Sequence, residues 1–178
     1  MKYTLLLLVL LSSSCAVMKV SERGQNGLFK ATKQAKILRS DKIDLDLHKS
    51  LLIVPNSDYM KGMAENINYF DKVLTMEEFE KEIILAEKQD EVGALTGNIG
   101  LNNAYRKYKP FLYLKFDNST EGKKKIQLKL INPDTLEDIL ITETAFDYIW
   151  AGVYDANTFN PLFNQVVRYI QSNSTTYR

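Results

Sequence analysis

The sequence predicts an α/β (α+β) domain, a single mixed sheet with helices packed against it in the order β-α-β-α-β-β-β-α. Three observations carry this expectation. "SLLIVP" (50–55) is a short unbroken apolar run closed by a proline, as expected of a strand buried on both faces. Two later segments, each preceded by a short strand, repeat apolar residues at steps of three and four, the period of a helix with one buried face. Residues 126–142 alternate apolar and polar side chains around turn-forming residues, which is the pattern of a hairpin.

Along the chain, the first helix takes Ser57 or Asp58 as its N-cap and aligns Met60, Met63, Ile67 and Phe70 on one face. "DKVL" (71–74) is a second short strand. In "TMEEFEKEIILAEK" (75–88), Thr75 and Glu78 form a capping box, each side chain accepting from the other residue's backbone N–H. Met76, Phe79 and Ile83 form the buried stripe of that helix, while Glu77 and Lys81 pair on its wet face. The three glycines of "DEVGALTGNIG" (90–100) break the pattern and predict a loop. A phosphate-cradling loop would need a Gly-Lys-Ser/Thr ending to supply charge, and none is present. "LNNAYRKYK" (101–109) predicts a short helix with Leu101, Ala104, Tyr105 and Tyr108 on one side, stopped by Pro110.

"PFLYLKFD" (110–117) is a strand. In the hairpin, Ile126, Leu128 and Leu130 alternate with Gln127 and Lys129, ahead of the turn Asn132-Pro133-Asp134-Thr135. Asn160 then caps a last helix with Pro161 in its first turn, burying Leu162, Phe163, Val166, Val167 and Ile170. The domain is expected over residues 28–172, and the serine-bearing tail, 173–178, is expected to fray.

The amino-terminal segment is of a different kind. Lys2, the apolar run Leu5–Leu11 and the small residues Ser12–Ser14 follow the charge, apolar and small-residue order of a secretory signal peptide, residues 1–14. A spanning helix needs about 20 apolar residues, so this run is too short for a permanent anchor. Small residues directly before the lone Cys15 resemble the lipobox of bacterial lipoproteins, in the looser form of the Bacteroidetes, with Leu11 four places before the cysteine. That resemblance implies cleavage after Ser14, acylation of Cys15, and an outer-membrane lipoprotein tethered through palmitate-type chains. Ala16 beside the cysteine resembles outer-membrane sorting, and the absence of a following acidic run implies a periplasm-facing domain. Residues 16–27, polar and without apolar periodicity, read as a flexible tether.

Composition agrees with a folded domain: 45% apolar and 11% aromatic residues. With Cys15 the one cysteine, the mature chain forms no internal disulfide, so its stability must come from a core. The 23 Lys+Arg and 22 Asp+Glu balance once Lys2 leaves with the leader, which argues against nucleic acid and against a broad attraction to anionic lipid.

The segments "SLLIVP", "FDKVLTMEEFEKEII", "PFLYLKFD" and "IQLKLINPDTLEDILITE" resemble the amino-terminal domain of TolB and its envelope relatives of the CsgG and LpoB types. In the hairpin turn of that group a glycine stands where this chain has Leu136. The resemblance spans about residues 50–171 and implies a protein that acts by protein–protein contact in the cell envelope, as a scaffold or assembly module. It lends no catalytic residue.

Chemical candidates are few. On a strand, "IDLDLH" would put Asp44, Asp46 and His48 on one face, spaced about 7 Å apart, a partial metal site that a second segment would have to complete. The reading preferred over a metal site is an edge strand with Ile43, Leu45 and Leu47 inward and a solvated outer face. His48 is the one histidine and Cys15 is committed to lipid, so no nucleophile–base pair is legible, and the chain reads as a non-enzyme without cofactor. "FDYIWAGVYDANTF" (146–159) carries Tyr148, Trp150 and Tyr154. These either extend the strand into the core or form an exposed aromatic lip that contacts a partner protein. A protein-binding envelope lipoprotein is the expectation, and a small-ligand or metal-binding one is the alternative.

Overall fold

The computed structural model describes residues 20–119, 125–146 and 156–177. Six strands form one mixed sheet, flanked by five α-helices among the described residues. The strands are β1 (Lys36–Ser40), β2 (Ser50–Val54), β3 (Lys72–Thr75), β4 (Leu112–Ser119), β5 (Lys125–Asn132) and β6 (Glu137–Ala145). The helices are α1 (Asp58–Glu65), α2 (Met76–Leu85), α3 (Gln89–Val92), α4 (Gly97–Lys107) and α5 (Ala156–Asn173). The sheet order is β1-β6-β5-β4-β2-β3. β2 runs parallel to β3 and β4, and the remaining pairs are antiparallel.

Helices cover both faces where the sheet is parallel, which is why β2 reads as a continuous apolar run. Leu51, Ile53, Leu112 and Leu114 join α1 and α5 in one core, while Leu52 and Tyr113, pointing the other way, join Phe79, Ile83, Leu101 and Ala104 of α2 and α4 in a second. The second layer stops short of the antiparallel half. There the same sheet face carries an ion-pair ladder, Lys115–Asp117 at 3.2 Å and Lys129–Asp117 at 2.8 Å. Hence the hairpin alternates: Ile126, Leu128 and Leu130 are buried, while Gln127 and Lys129 lie on the wetter side.

Local signals hold at the capped helices. Ser57 accepts from the Met60 N–H, and both halves of the Thr75–Glu78 capping box are present. The hairpin turn closes with Asp134 N–H on Asn132 Oδ1 and Leu136 N–H on Asn132 O. Leu136 itself sits at φ +61°, the left-handed region that a glycine occupies without strain.

Elsewhere the structure corrects the sequence reading. The glycine-bearing loop contains α3 and the start of α4. Gly100 lies so close to Ala94 O that an added Cβ would stand 2.2 Å from it, so this glycine permits helix-to-loop packing. α5 begins at Ala156, not at Asn160, and Pro161 lies inside it. Asn160 is buried and donates to Lys30 O instead of capping.

Residues 20–27 are not a free tether. Val20 packs on the first core, Asn66 donates to Ser21 O, Arg23 donates to the Tyr177 hydroxyl, and Gly24 N–H bonds Leu28 O. The tail does not fray as expected either: residues 174–177 fold back onto Asp46, Tyr69 and Ile67.

Candidate functional site

The segment with the strongest sequence claim to chemistry, Asp44–His48, is not a strand. Asp44 Oδ1 accepts from the Asp46 N–H, and this local bond outcompetes a ladder and turns Leu45–Leu47 into a single 3-10 turn. Leu45 is fully buried and Leu47 is 67% exposed, so the alternation expected of an edge strand is absent too.

The three polar side chains are sent to separate tasks. Asp44 caps the turn. The Asp46 carboxylate collects the C-terminal tail: it accepts from the hydroxyls of Ser174 (2.5 Å), Thr175 (2.7 Å) and Thr176 (2.8 Å), and from the Thr175 N–H (2.8 Å). Those hydrogen bonds, led by Ser174 and Thr175, hold it far below the ordinary carboxylate range.

His48 is buried beneath the stacked ring of Tyr105. Its Nδ1 lies 3.2 Å from the carbonyl of Asp44, an acceptor only, so Nδ1 carries the proton. Nε2, 3.0 Å from the Tyr105 hydroxyl, then accepts. The ring is thus satisfied while neutral, and burial pushes its pKa below the usual histidine value, against a smaller opposing effect of the Asp44 carbonyl. Among the described residues no group of three His, Cys, Asp or Glu side chains is placed to hold a metal ion.

Cys15 and the aromatic candidates Tyr148, Trp150 and Tyr154 lie outside the described residues. The flanks of the aromatic stretch are described and differ from one another. Phe159 is core, edge-to-face with Tyr59 and Phe116, whereas Phe146 is 38% exposed. Both flanks are tied to residues just before β1: Lys33 Nζ donates to Ala145 O at 2.9 Å, and the Thr32 hydroxyl reaches the Asn157 side chain at 3.4 Å.

β1 itself is the element that sequence reasoning missed. Among the described residues it pairs on one side only, with β6, is interrupted by a register shift between Ile37 and Arg39, and ends the sheet. Ile37 and Leu38 are 48% and 43% exposed. A sheet edge with unpaired backbone groups and exposed apolar side chains is a template for an added strand. The cations Lys36 and Arg39 flank it. Beneath, Glu143 of β6 is held below the ordinary carboxylate range by the Lys125 ammonium (2.7 Å) and the Gln127 amide (3.0 Å). Only the apolar pair "IL" between cations hinted at a strand, which is too short for a periodicity.

No protein-family model matches the chain, and no curated protein or solved structure matches it either.

Proposed function

We propose that this chain is a lipid-anchored protein of the outer membrane, tethered through Cys15 with its domain facing the periplasm. The domain acts without catalysis, binding an envelope protein as an assembly or scaffold module. The observation that supports partner binding best is the open β1 edge, with Ile37 and Leu38 exposed beside the flanks of the Phe146–Phe159 stretch. A partner strand laid along β1 would gain main-chain hydrogen bonds, and Tyr148, Trp150 and Tyr154 are the proposed aromatic anchors. The metal-binding alternative has no such support, because Asp44, Asp46 and His48 are engaged separately.

The test pairs two substitutions. Cys15→Ala should abolish palmitate labelling and release the protein from the membrane fraction. Leu38→Glu, at an exposed position, should leave the melting temperature within a few degrees of wild type. It should also weaken capture of the partner identified with the wild-type chain by about tenfold or more, the effect of losing about 1.4 kcal/mol. Undiminished capture by Leu38→Glu would remove β1 from the interface, and undiminished labelling of Cys15→Ala would remove the anchor.

A further inference from the structure

The bonds on the inner side of β1 define its outer side. Asp41 N–H bonds Ile139 O at 2.8 Å and Ser40 stands opposite Leu140, so the N–H and C=O of Ser40 point away from β6. The alternation continues past the end of the strand. The Tyr169 hydroxyl donates to Asp41 O at 2.7 Å, and Ile43 N–H reaches Asn173 Oδ1 at 3.4 Å. Asp41 and Ile43 therefore turn inward to α5, and Lys42 between them turns outward. Among the described residues the outward main-chain groups of Ser40 and Lys42 have no partner, and both residues are exposed. The register shift between Ile37 and Arg39 precedes this stretch and leaves its alternation intact.

The side chains around Ser40 are arranged about a centre. In "KILRSDKID" (36–44), Arg39 and Asp41 stand one step either side of Ser40, Ile37 and Ile43 three steps, and Lys36 and Asp44 four. An antiparallel copy of the same segment therefore sets Arg39 opposite Asp41, Ile37 opposite Ile43 and Lys36 opposite Asp44. Leu38, 43% exposed, meets the aliphatic stem of Lys42. No like charges fall directly opposite one another, the arrangement that stabilises paired strands, and a two-fold axis satisfies both copies at once. The existing ion pair has room for a second partner. Arg39 Nε (2.8 Å) and Nη2 (2.6 Å) both donate to Oδ2 of Asp41. Asp41 Oδ1 has no partner among the described residues, and both side chains are 40% exposed. Across the axis the two pairs would form a square of alternating charge. The helices also fit. α5 packs on β6, and the two β6 strands would lie three strand spacings apart, about 14 Å, where packed helices need about 8–10 Å.

We propose that the strand that pairs with β1 is β1 of a second copy of this chain, antiparallel and centred on Ser40, joining two six-stranded sheets into one. This names a partner for the β1 edge and rests on the reading of that edge as a docking site. It does not depend on acylation of Cys15.

The full chain in neutral detergent carries the test. Ser40→Cys puts one thiol on each side of the axis, at a hydrogen-bonded pair whose Cα atoms lie about 5.5 Å apart, a distance that a disulfide spans. Mild oxidation should give a covalent dimer on a non-reducing gel, well above the wild-type background from Cys15. In Lys42→Cys the two thiols would stand four residue steps out of register, about 13 Å apart, so crosslinking should fall about tenfold or more. Sedimentation gives a second reading. Arg39→Asp sets carboxylate against carboxylate and Asp41→Arg sets guanidinium against guanidinium, so each variant alone should self-associate about tenfold or more weakly. The two variants are complementary to each other, and mixing them should restore the dimer. No covalent dimer from Ser40→Cys, equal crosslinking of Lys42→Cys, or a mixture that associates no better than its components would overturn the proposal. If Leu38→Glu loses an envelope partner while Ser40→Cys stays monomeric, the edge takes a foreign strand: the docking reading survives and the second copy is refuted.

Discussion

Phe29→Ala is the perturbation that most directly tests whether the amino-terminal segment is part of the domain. Phe29 is 2% exposed and packs edge-to-face on Phe163 with ring centroids 6.1 Å apart. Truncating a buried phenylalanine to alanine costs about 3–5 kcal/mol. For a chain of this size each 1 kcal/mol moves the melting temperature by about 2–4 °C, so a fall of roughly 6–20 °C is expected. Asn164→Ala attacks the same docking from the helix side, stripping partners from both the N–H and the C=O of Phe29. Each buried group left unpaired costs about 1–3 kcal/mol, which puts that variant, with two such groups, at roughly 2–6 kcal/mol.

If ring and amide hold one docked unit, the two losses overlap. The double variant should then fall short of the sum by about 1 kcal/mol or more. Thermal melts of the full chain measure this, and trypsin supplies an independent reading. Lys30 has an exposed side chain and Lys33 a half-buried one, both on a pinned backbone, so they should be cut slowly in wild type and quickly in either single variant. A melting temperature for Phe29→Ala within about 1 °C of wild type would refute the reasoning, as would strict additivity with unchanged tryptic resistance.

Two further outcomes follow from local geometry. His48 is held neutral in the fold with a lowered pKa, whereas the unfolded chain protonates near 6.5. As the pH falls, the unfolded state takes up the proton first, so the His48 contribution is complete above about 6.5 and declines below it toward the lower folded-state value. Melts between pH 8 and 5 should show that decline, and His48→Gln should flatten it; equal slopes would refute the assignment. Leu136→Gly relieves a left-handed residue worth about 1–2 kcal/mol, offset by about 0.5–1 kcal/mol of glycine entropy. Its melting temperature should rise by roughly 1–4 °C, and a fall would show that the Leu136 side chain contributes more than its backbone strain.

The sequence was most readable where one local interaction decides the outcome. Thr75 and Glu78 cap the same helix in any tertiary setting, and the alternation of Ile126, Leu128 and Leu130 has one burial pattern to satisfy. It was least readable where a distant partner decides. Asn160, Asn164 and Gln165 look like helix-capping or surface residues, yet they are buried because the backbone of residues 29–35 needs donors and acceptors. Asp46 read as a side chain on the solvated face of an edge strand. It is an acceptor for a tail that lies 128 residues away in the chain. Polar residues that replace missing backbone partners have no period, so pattern reasoning passes over them.

The packing of residues 20–35 also changes what an anchor at Cys15 would do. With a free tether ending at residue 27, twelve residue steps would separate lipid from domain, a reach of up to about 40 Å and room for any orientation. Since Val20 is already packed against the core, five steps remain, at most about 18 Å. A domain held that closely would present the face bearing residue 20 to the membrane, and Lys30 lies beside Val20 on that face. The β1 edge would follow directly in sequence from the same segment. A partner strand laid along it would engage this protein close to the bilayer, which favours membrane-proximal segments of envelope proteins over ligands that diffuse freely in the periplasm.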